Sequence, residues 1–236
     1  MIHNLCEICK KKSTKFFSFK NFPNYTINSN SKTLYSNKSF TLKLFFCNNC
    51  KNIFSSKKFQ YQKLYKNHKA KSINIKNKIN LIRRDLEKVI KLNKNDKIIE
   101  ISKNIIFDKK YIRKKKLILK KIDLSKFNIP EKNSIKDIKL LICFDFLGNI
   151  NNINKFFYSI SKLLRDDGYI ICEHHYGPSL LKNLTLDRIY SEHVNYFSIY
   201  GLNKLVVKNN LIIRKVNFYE NKKFFRIIIS KNNNNV

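Results

Sequence analysis

The sequence predicts an α/β fold with a mostly parallel sheet, preceded by a small cysteine-bound module. Three observations carry this. Two Cys-x2-Cys pairs lie within the first 50 residues, apolar strand patterns alternate with helical ones from Lys97 onward, and two apolar strands joined by a short turn close the pattern.

The pairs are "CEIC" (Cys6, Cys9) and "CNNC" (Cys47, Cys50). A Cys-x2-Cys turn can point two thiolates at one Zn²⁺ at about 2.3 Å, and a second such turn completes a closed, four-thiolate structural site. Two disulfides or free thiols would also account for four cysteines. The intervening stretch alternates aromatic and polar residues and is expected to form short strands, too few to build a core without the metal. Cys143 and Cys172 sit in apolar runs, "LLICFDF" and "YIICE", and are expected to be core thiols.

Between Ile73 and Ile90, the residues Ile79, Ile82, Leu86, Val89 and Ile90 fall on one helical face. Strands are predicted at Lys97–Ser102, Lys116–Asp123 and Lys139–Phe146. Residues Ile153, Phe156, Phe157, Ile160, Leu163 and Leu164 have helical spacing, "RDDG" reads as a turn ending at Gly168, and "YIICE" is the next strand. Ser198 suits the N-cap of a helix carrying Leu202, Leu205 and Val206. "LIIRKVNFY" and "FFRIIIS", joined by "ENKK", read as an antiparallel hairpin beside the parallel strands. The expected division is a metal-binding module over residues 1–60, a helical connector over 61–96, an α/β domain over 97–230 and a disordered tail over 231–236.

The chain has 236 residues, 43% of them hydrophobic, which suffices for one α/β domain and an appendage. Lys and Arg outnumber Asp and Glu by 49 to 16, a formal charge of +33 that makes a polyanion an obvious candidate partner. The excess is mostly Lys, accompanied by much Asn and Ile, a bias that AT-rich coding DNA produces by itself. The densest run, Arg113 to Lys121, is interrupted by Leu117, Ile118 and Leu119, as a buried strand would be. Nucleic acid is therefore not the favoured partner. No leader-like apolar segment opens the chain, and no stretch reaches the ~18 apolar residues that span a bilayer. The expectation is a soluble, cytoplasmic protein without membrane association.

Taken in order, the motifs resemble those of the nucleotide-sugar C-methyltransferases, which carry a zinc-binding module ahead of a methyltransferase domain. The likeness covers most of the chain: "FFSFKNFPN", "FTLKLFFCNNC", "LNKNDKIIEIS", "GYIICEHHYGP", "LTLDRIYSEHVNYFSIYGLNKLVVKNNL" and "FFRIII". Its most specific part is the family's Tyr-His-Glu-His followed by Tyr-Phe-Ser. Tyr190, Glu192, His193, Tyr196, Phe197 and Ser198 match it, and Ser191 stands where the first His would be.

The resemblance implies a class I methyltransferase-like (Rossmann-like) fold, a structural zinc, S-adenosylmethionine as methyl donor and a keto-deoxysugar nucleotide as acceptor. In that chemistry a base removes a proton beside the ketone and the enolate carbon takes the methyl group. A carbon acid needs a base poised near neutral pH and a donor for the enolate oxygen. His193 suits the base, Glu192 suits orientation or shared proton duty, and the Tyr190 hydroxyl suits the oxyanion. Glu100, Ser102 and Asn104, at and after the first strand of the domain, would face the cofactor, and Asp123 would hold its ribose hydroxyls. Glu173 and Tyr176 match the family after the strand "YIICE", whereas His174 and His175 do not and read as solvated loop residues.

Two departures stand out. The turn holding Ser102, Ile105 and Ile106 has no glycine, so a positive φ there would strain a β-branched side chain. The family also continues into a further domain beyond the segment matching "FFRIII", so part of the substrate pocket would here be absent or supplied by a partner chain. Two rival expectations are a sugar-nucleotide-binding homologue that is inactive or works without S-adenosylmethionine, and a zinc-containing basic protein that binds nucleic acid.

Overall fold

A computed structural model describes residues 4–27, 33–56, 75–102, 106–121, 136–182 and 188–232. Asn104 and Asp123 lie outside the described residues, as does most of the expected tail; Lys231 itself ends a strand.

In the first module, β1 (Thr14–Ile27) and β2 (Thr33–Cys47) form a long antiparallel ribbon instead of the short strands expected. Ring contacts support it: Phe17 meets Phe19 at 4.1 Å, Phe19 meets Phe22 at 5.6 Å, and Phe22 meets Phe40 across the strands at 5.7 Å. Three register shifts along β1 let the ribbon twist while keeping these rings together. Strand β3 (Asn52–Ser55) then pairs with β2.

Next in the chain come α1 (Ile75–Glu87), β4 (Lys97–Ser102), α2 (Lys109–Lys115), β5 (Ile118–Lys121), β6 (Ile138–Phe144), α3 (Ile153–Leu163) and β7 (Leu164–His175). They are followed by α4 (Gly177–Lys182), β8 (Asn195–Tyr196), α5 (Ile199–Lys208), β9 (Leu211–Tyr219) and β10 (Phe224–Lys231). The larger sheet has the order β5-β4-β6-β7-β10-β9. Strands β5, β4, β6 and β7 are parallel, and β10 runs antiparallel to both of its neighbours.

Both faces of this sheet's four central strands are buried, with successive residues alternating between them. Strand β5, at the edge, is largely exposed and not the buried strand the sequence suggested. Ile98, Leu140, Ile142, Ile171 and Ile228 pack with Ile82 and Leu86 of α1. Ile99, Ile101, Leu141, Cys143, Ile170, Cys172, Ile227 and Ile229 pack with Phe156 and Ile160 of α3 and Leu202 and Leu205 of α5. This three-layer arrangement is the class I methyltransferase fold that the motifs imply. Cys143 and Cys172 face each other across β6 and β7 as fully buried core thiols.

The predicted turn "RDDG" is instead part of β7. Ile138 pairs with Leu164 and Leu140 with Tyr169, so Arg165 to Gly168 bulge out of the ladder. Arg165 and Lys139 both bind Asp167 there, and the two cations hold its carboxyl down at about 2. Ser198 caps α5 as expected, accepting from the Gly201 amide at 2.9 Å. No helix among the described residues is long and apolar enough to cross a membrane.

Arg226 of β10 and Glu173 of β7 are register partners near the sheet's carboxyl edge. The guanidinium donates to one carboxylate oxygen at 2.7 and 3.0 Å, with side chains 6% and 3% exposed. Removing one partner of such a pair strands the other charge, at a cost of about 3–5 kcal/mol. Arg226→Met should lower stability in urea unfolding by that order, and adding Glu173→Leu should restore much of the loss.

Candidate functional site

The segment from Arg188 to Ser198 runs along the carboxyl edge of the parallel strands, where open α/β sheets place ligands. It is fixed at several points. The buried Tyr196 hydroxyl accepts from the Tyr190 amide at 3.1 Å and donates to the Tyr190 carbonyl at 3.4 Å. Burial keeps this phenol well above its ordinary pKa, so it remains a donor. The Val194 amide donates to Gly148 O at 2.7 Å, and Asn195 Nδ2 to Ile150 O at 3.2 Å, which ties the segment to the turn after β6.

This anchoring gathers three imidazoles. The ring of His193, a residue 5% exposed, lies 5.0 Å from that of His174, 5.6 Å from that of His175 and 5.0 Å from that of Tyr190. His174 and His175 are the last residues of β7, not solvated loop residues as the sequence suggested; His174 is fully buried and His175 half-buried. The His174 ring fits because residue 148 is glycine: a Cβ there would lie 2.1 Å from His174 Nε2. The half-buried Glu192 accepts from Ser191 Oγ at 3.4 Å.

Two strands away, roughly 10 Å across the sheet, Glu100 lies in β4's buried run, one residue before its end. Its Oε1 accepts from the Ile106 amide at 2.6 Å and Ser102 Oγ at 3.0 Å. Oε2 is buried and meets no donor among the described residues. Burial raises the Glu100 pKa against the opposing pull of the Ile106 amide, Lys121 and Ser102. Arg83 of α1 donates to Ile106 O at 2.7 Å and to Asp108 at 3.2 Å, pinning the far end of the turn. Ser102 and Ile106 both avoid the left-handed region, and the Ile106 side chain packs into the core with Ile82 and Ile98. The strain expected at Ile106 is therefore absent.

The four sulfurs of Cys6, Cys9, Cys47 and Cys50 lie within 4.8 Å of one another, and no cysteine of the chain is in a disulfide. The Cys9 to Cys47 separation of 3.6 Å is close to the edge, about 3.8 Å, of a tetrahedron with metal–sulfur bonds of about 2.3 Å. Burial pushes Cys6 up to about 12 and raises Cys50 as well. At Cys9 burial is outweighed by hydrogen bonds from Asn49, the Lys11 amide and neighbouring thiols, which bring it to about 6. That thiol offers a first anionic ligand near neutral pH. Each turn ends in a residue with positive φ, Lys10 (61°) and Lys51 (53°).

A family model described as a methyltransferase domain matches residues 70–216. The chain belongs to that methyltransferase family. Several solved structures align with the chain at low identity. An S-adenosylmethionine-dependent methyltransferase from Clostridium acetobutylicum aligns at TM-score 0.45 and 12% identity, covering 68% of this chain and 93% of that one. The Burkholderia thailandensis 1,6-didemethyltoxoflavin-N1-methyltransferase, with its substrate and S-adenosylhomocysteine bound, aligns at 0.47 and 10%, covering 66% and 77%. The Synechocystis magnesium protoporphyrin IX methyltransferase, also with S-adenosylhomocysteine, aligns at 0.44 and 10%, covering 70% and 90%. No curated protein matches.

In the methyltransferase, His193 and Tyr190 thus come together, Glu192 stays beside Ser191, and Glu100 and Ser102 form a separate pair at the end of β4. Glu173, which matched the family pattern, is taken up by Arg226. Sequence reasoning missed His174, His175, Gly148 and Arg83. The signal for the histidines was "EHHYGP" directly after a strand, because strand ends at this edge face the ligand crevice. Gly148→Ala should displace the His174 ring, seen as shifted His174 imidazole resonances, with a stability loss of about 1–3 kcal/mol from overpacking.

Proposed function

We propose that this protein is an S-adenosylmethionine-dependent C-methyltransferase that acts on a keto-deoxysugar nucleotide. The observation that carries the reading is the convergence of His193, Tyr190, His174 and His175 at the carboxyl end of β7, two strands from Glu100. The motif likeness of Tyr190–Ser198 supports the substrate class, and the family match supports methyl transfer.

Glu100 and Ser102 fit a cofactor, because the buried Oε2 of Glu100 is an acceptor open to an incoming donor. Asn104 and Asp123, outside the described residues, would complete the cofactor's binding. When bound, S-adenosylmethionine supplies an electrophilic methyl group. His193, shielded from bulk water, takes the proton from the carbon beside the ketone, and the Tyr190 hydroxyl donates to the developing enolate oxygen. Glu192 orients the segment that carries both.

A structural zinc at Cys6, Cys9, Cys47 and Cys50 belongs to the same reading. Metal analysis should give one zinc per chain, with loss in Cys47→Ser. Acidification should release the metal, because each thiolate regains a proton that binding had displaced.

The catalytic assignment has a direct test. In D₂O, a dTDP-linked 4-keto-6-deoxyhexose should lose a proton beside the ketone in the protein's presence, read by proton NMR. His193→Gln should slow this exchange by about 10²–10⁴-fold, and undiminished exchange would sink the assignment. Calorimetric titration with S-adenosylmethionine tests the cofactor separately: absence of binding at millimolar concentration would rule out methyl transfer.

A further inference from the structure

The three imidazoles raise a question that a single base leaves open: where the proton goes. His193 is 5% exposed and enclosed by rings, so a proton taken from a carbon acid has no direct route to bulk water. Among the described residues, only the four cysteines form a group of three or more potential ligand side chains within 4.8 Å. The imidazoles are adjacent rings leading outward.

His174 is the less suitable carrier. It is fully buried, its ring is confined beside Gly148, and its Nε2 lies 3.4 Å from the Asn195 carbonyl. His175 is the more exposed of the two. It ends β7, is half-buried, and packs on Phe224 at 4.5 Å and Tyr190 at 5.8 Å, with His193 5.6 Å away. The charges around it come from several elements. Arg188 lies over the same Phe224 ring at 4.9 Å and reaches Glu220 of the β9–β10 turn at 3.8 Å, and Glu192 lies in the facing segment. A neutral imidazole is the form that accepts a proton.

We propose that His175 is a second acid–base residue of this site, carrying the proton from His193 to solvent. This rests on the reading of His193 as base. The substrate C–H bond breaks, its electron pair stays as the enolate, and the proton adds to a neutral ring nitrogen of His193. The resulting imidazolium passes it to a neutral ring nitrogen of His175. His175 gives it to water or buffer, so both rings end neutral and one proton leaves per turnover.

A relay can be bypassed by a diffusible proton carrier, whereas a packing role cannot. In dilute buffer, His175→Gln should slow deuterium exchange into the dTDP-linked 4-keto-6-deoxyhexose by about tenfold or more, and millimolar imidazole should restore most of it. Exchange unchanged in His175→Gln, or lowered and not restored by imidazole, would overturn the proposal while leaving His193 as the base. Undiminished exchange in His193→Gln would remove both. A second measurement needs no substrate and no variant: imidazole NMR of the wild-type chain from about pH 5 to pH 9, spanning the ordinary histidine range. The His175 and His193 rings should titrate as a coupled pair, each curve bending where the other protonates. Independent single-step titration of the two would overturn the relay even if the wild type showed no exchange.

Discussion

The site depends on five residues, Val194 to Ser198, being held from two sides at once. On one side, β8 pairs with β3 through Ile53 and Tyr196 and through Phe54 and Asn195, and the Ser55 amide donates to Val194 O at 2.8 Å. The Ser198 amide donates to Asn52 Oδ1 at 3.2 Å and its hydroxyl to Cys50 O at 2.9 Å. On the other side lie Gly148, Ile150 and His174. α5 can come this close only because residue 201 is glycine, where a Cβ would be 2.8 Å from Cys50 O. The cysteine module and the histidine cluster are therefore neighbours across one short strand, and the module's fourth strand belongs to the larger domain.

Buried carboxylates show a division of labour along the sheet edge. Both Arg226 donors reach one oxygen of Glu173, and this buried ion pair ties together the strands on which the histidines sit. Among the described residues, Glu100 receives an amide and a hydroxyl on one oxygen and no donor on the other.

Much of this was legible in the sequence because it rests on local rules. Short apolar runs located β4, β6, β9 and β10, and Ser198 announced α5, since strand runs and N-caps act over a few residues. What stayed hidden depends on distant partners. The ribbon of β1 and β2 is lengthened by cross-strand rings, "RDDG" becomes a bulge because Lys139 and Arg165 hold Asp167, and His174 is buried because Gly148 makes room for it. Of the candidate site, His193 and Tyr190 could be picked out from their motif, whereas the role of Arg83 in pinning the turn after β4 has no local signature.

The pairing of β3 with β8 also has a consequence in time. Asn52 and Ser198, which it brings together, are 146 residues apart in the chain. During synthesis at about 5–20 residues per second, the first module waits on the order of ten seconds for its last strand to emerge. Contacts of such long range form late, after shorter loops have closed. Over that interval the four cysteines form a local unit with an unpaired β3 edge, so early capture of a metal ion would shield both the thiols and the nascent chain from misassembly.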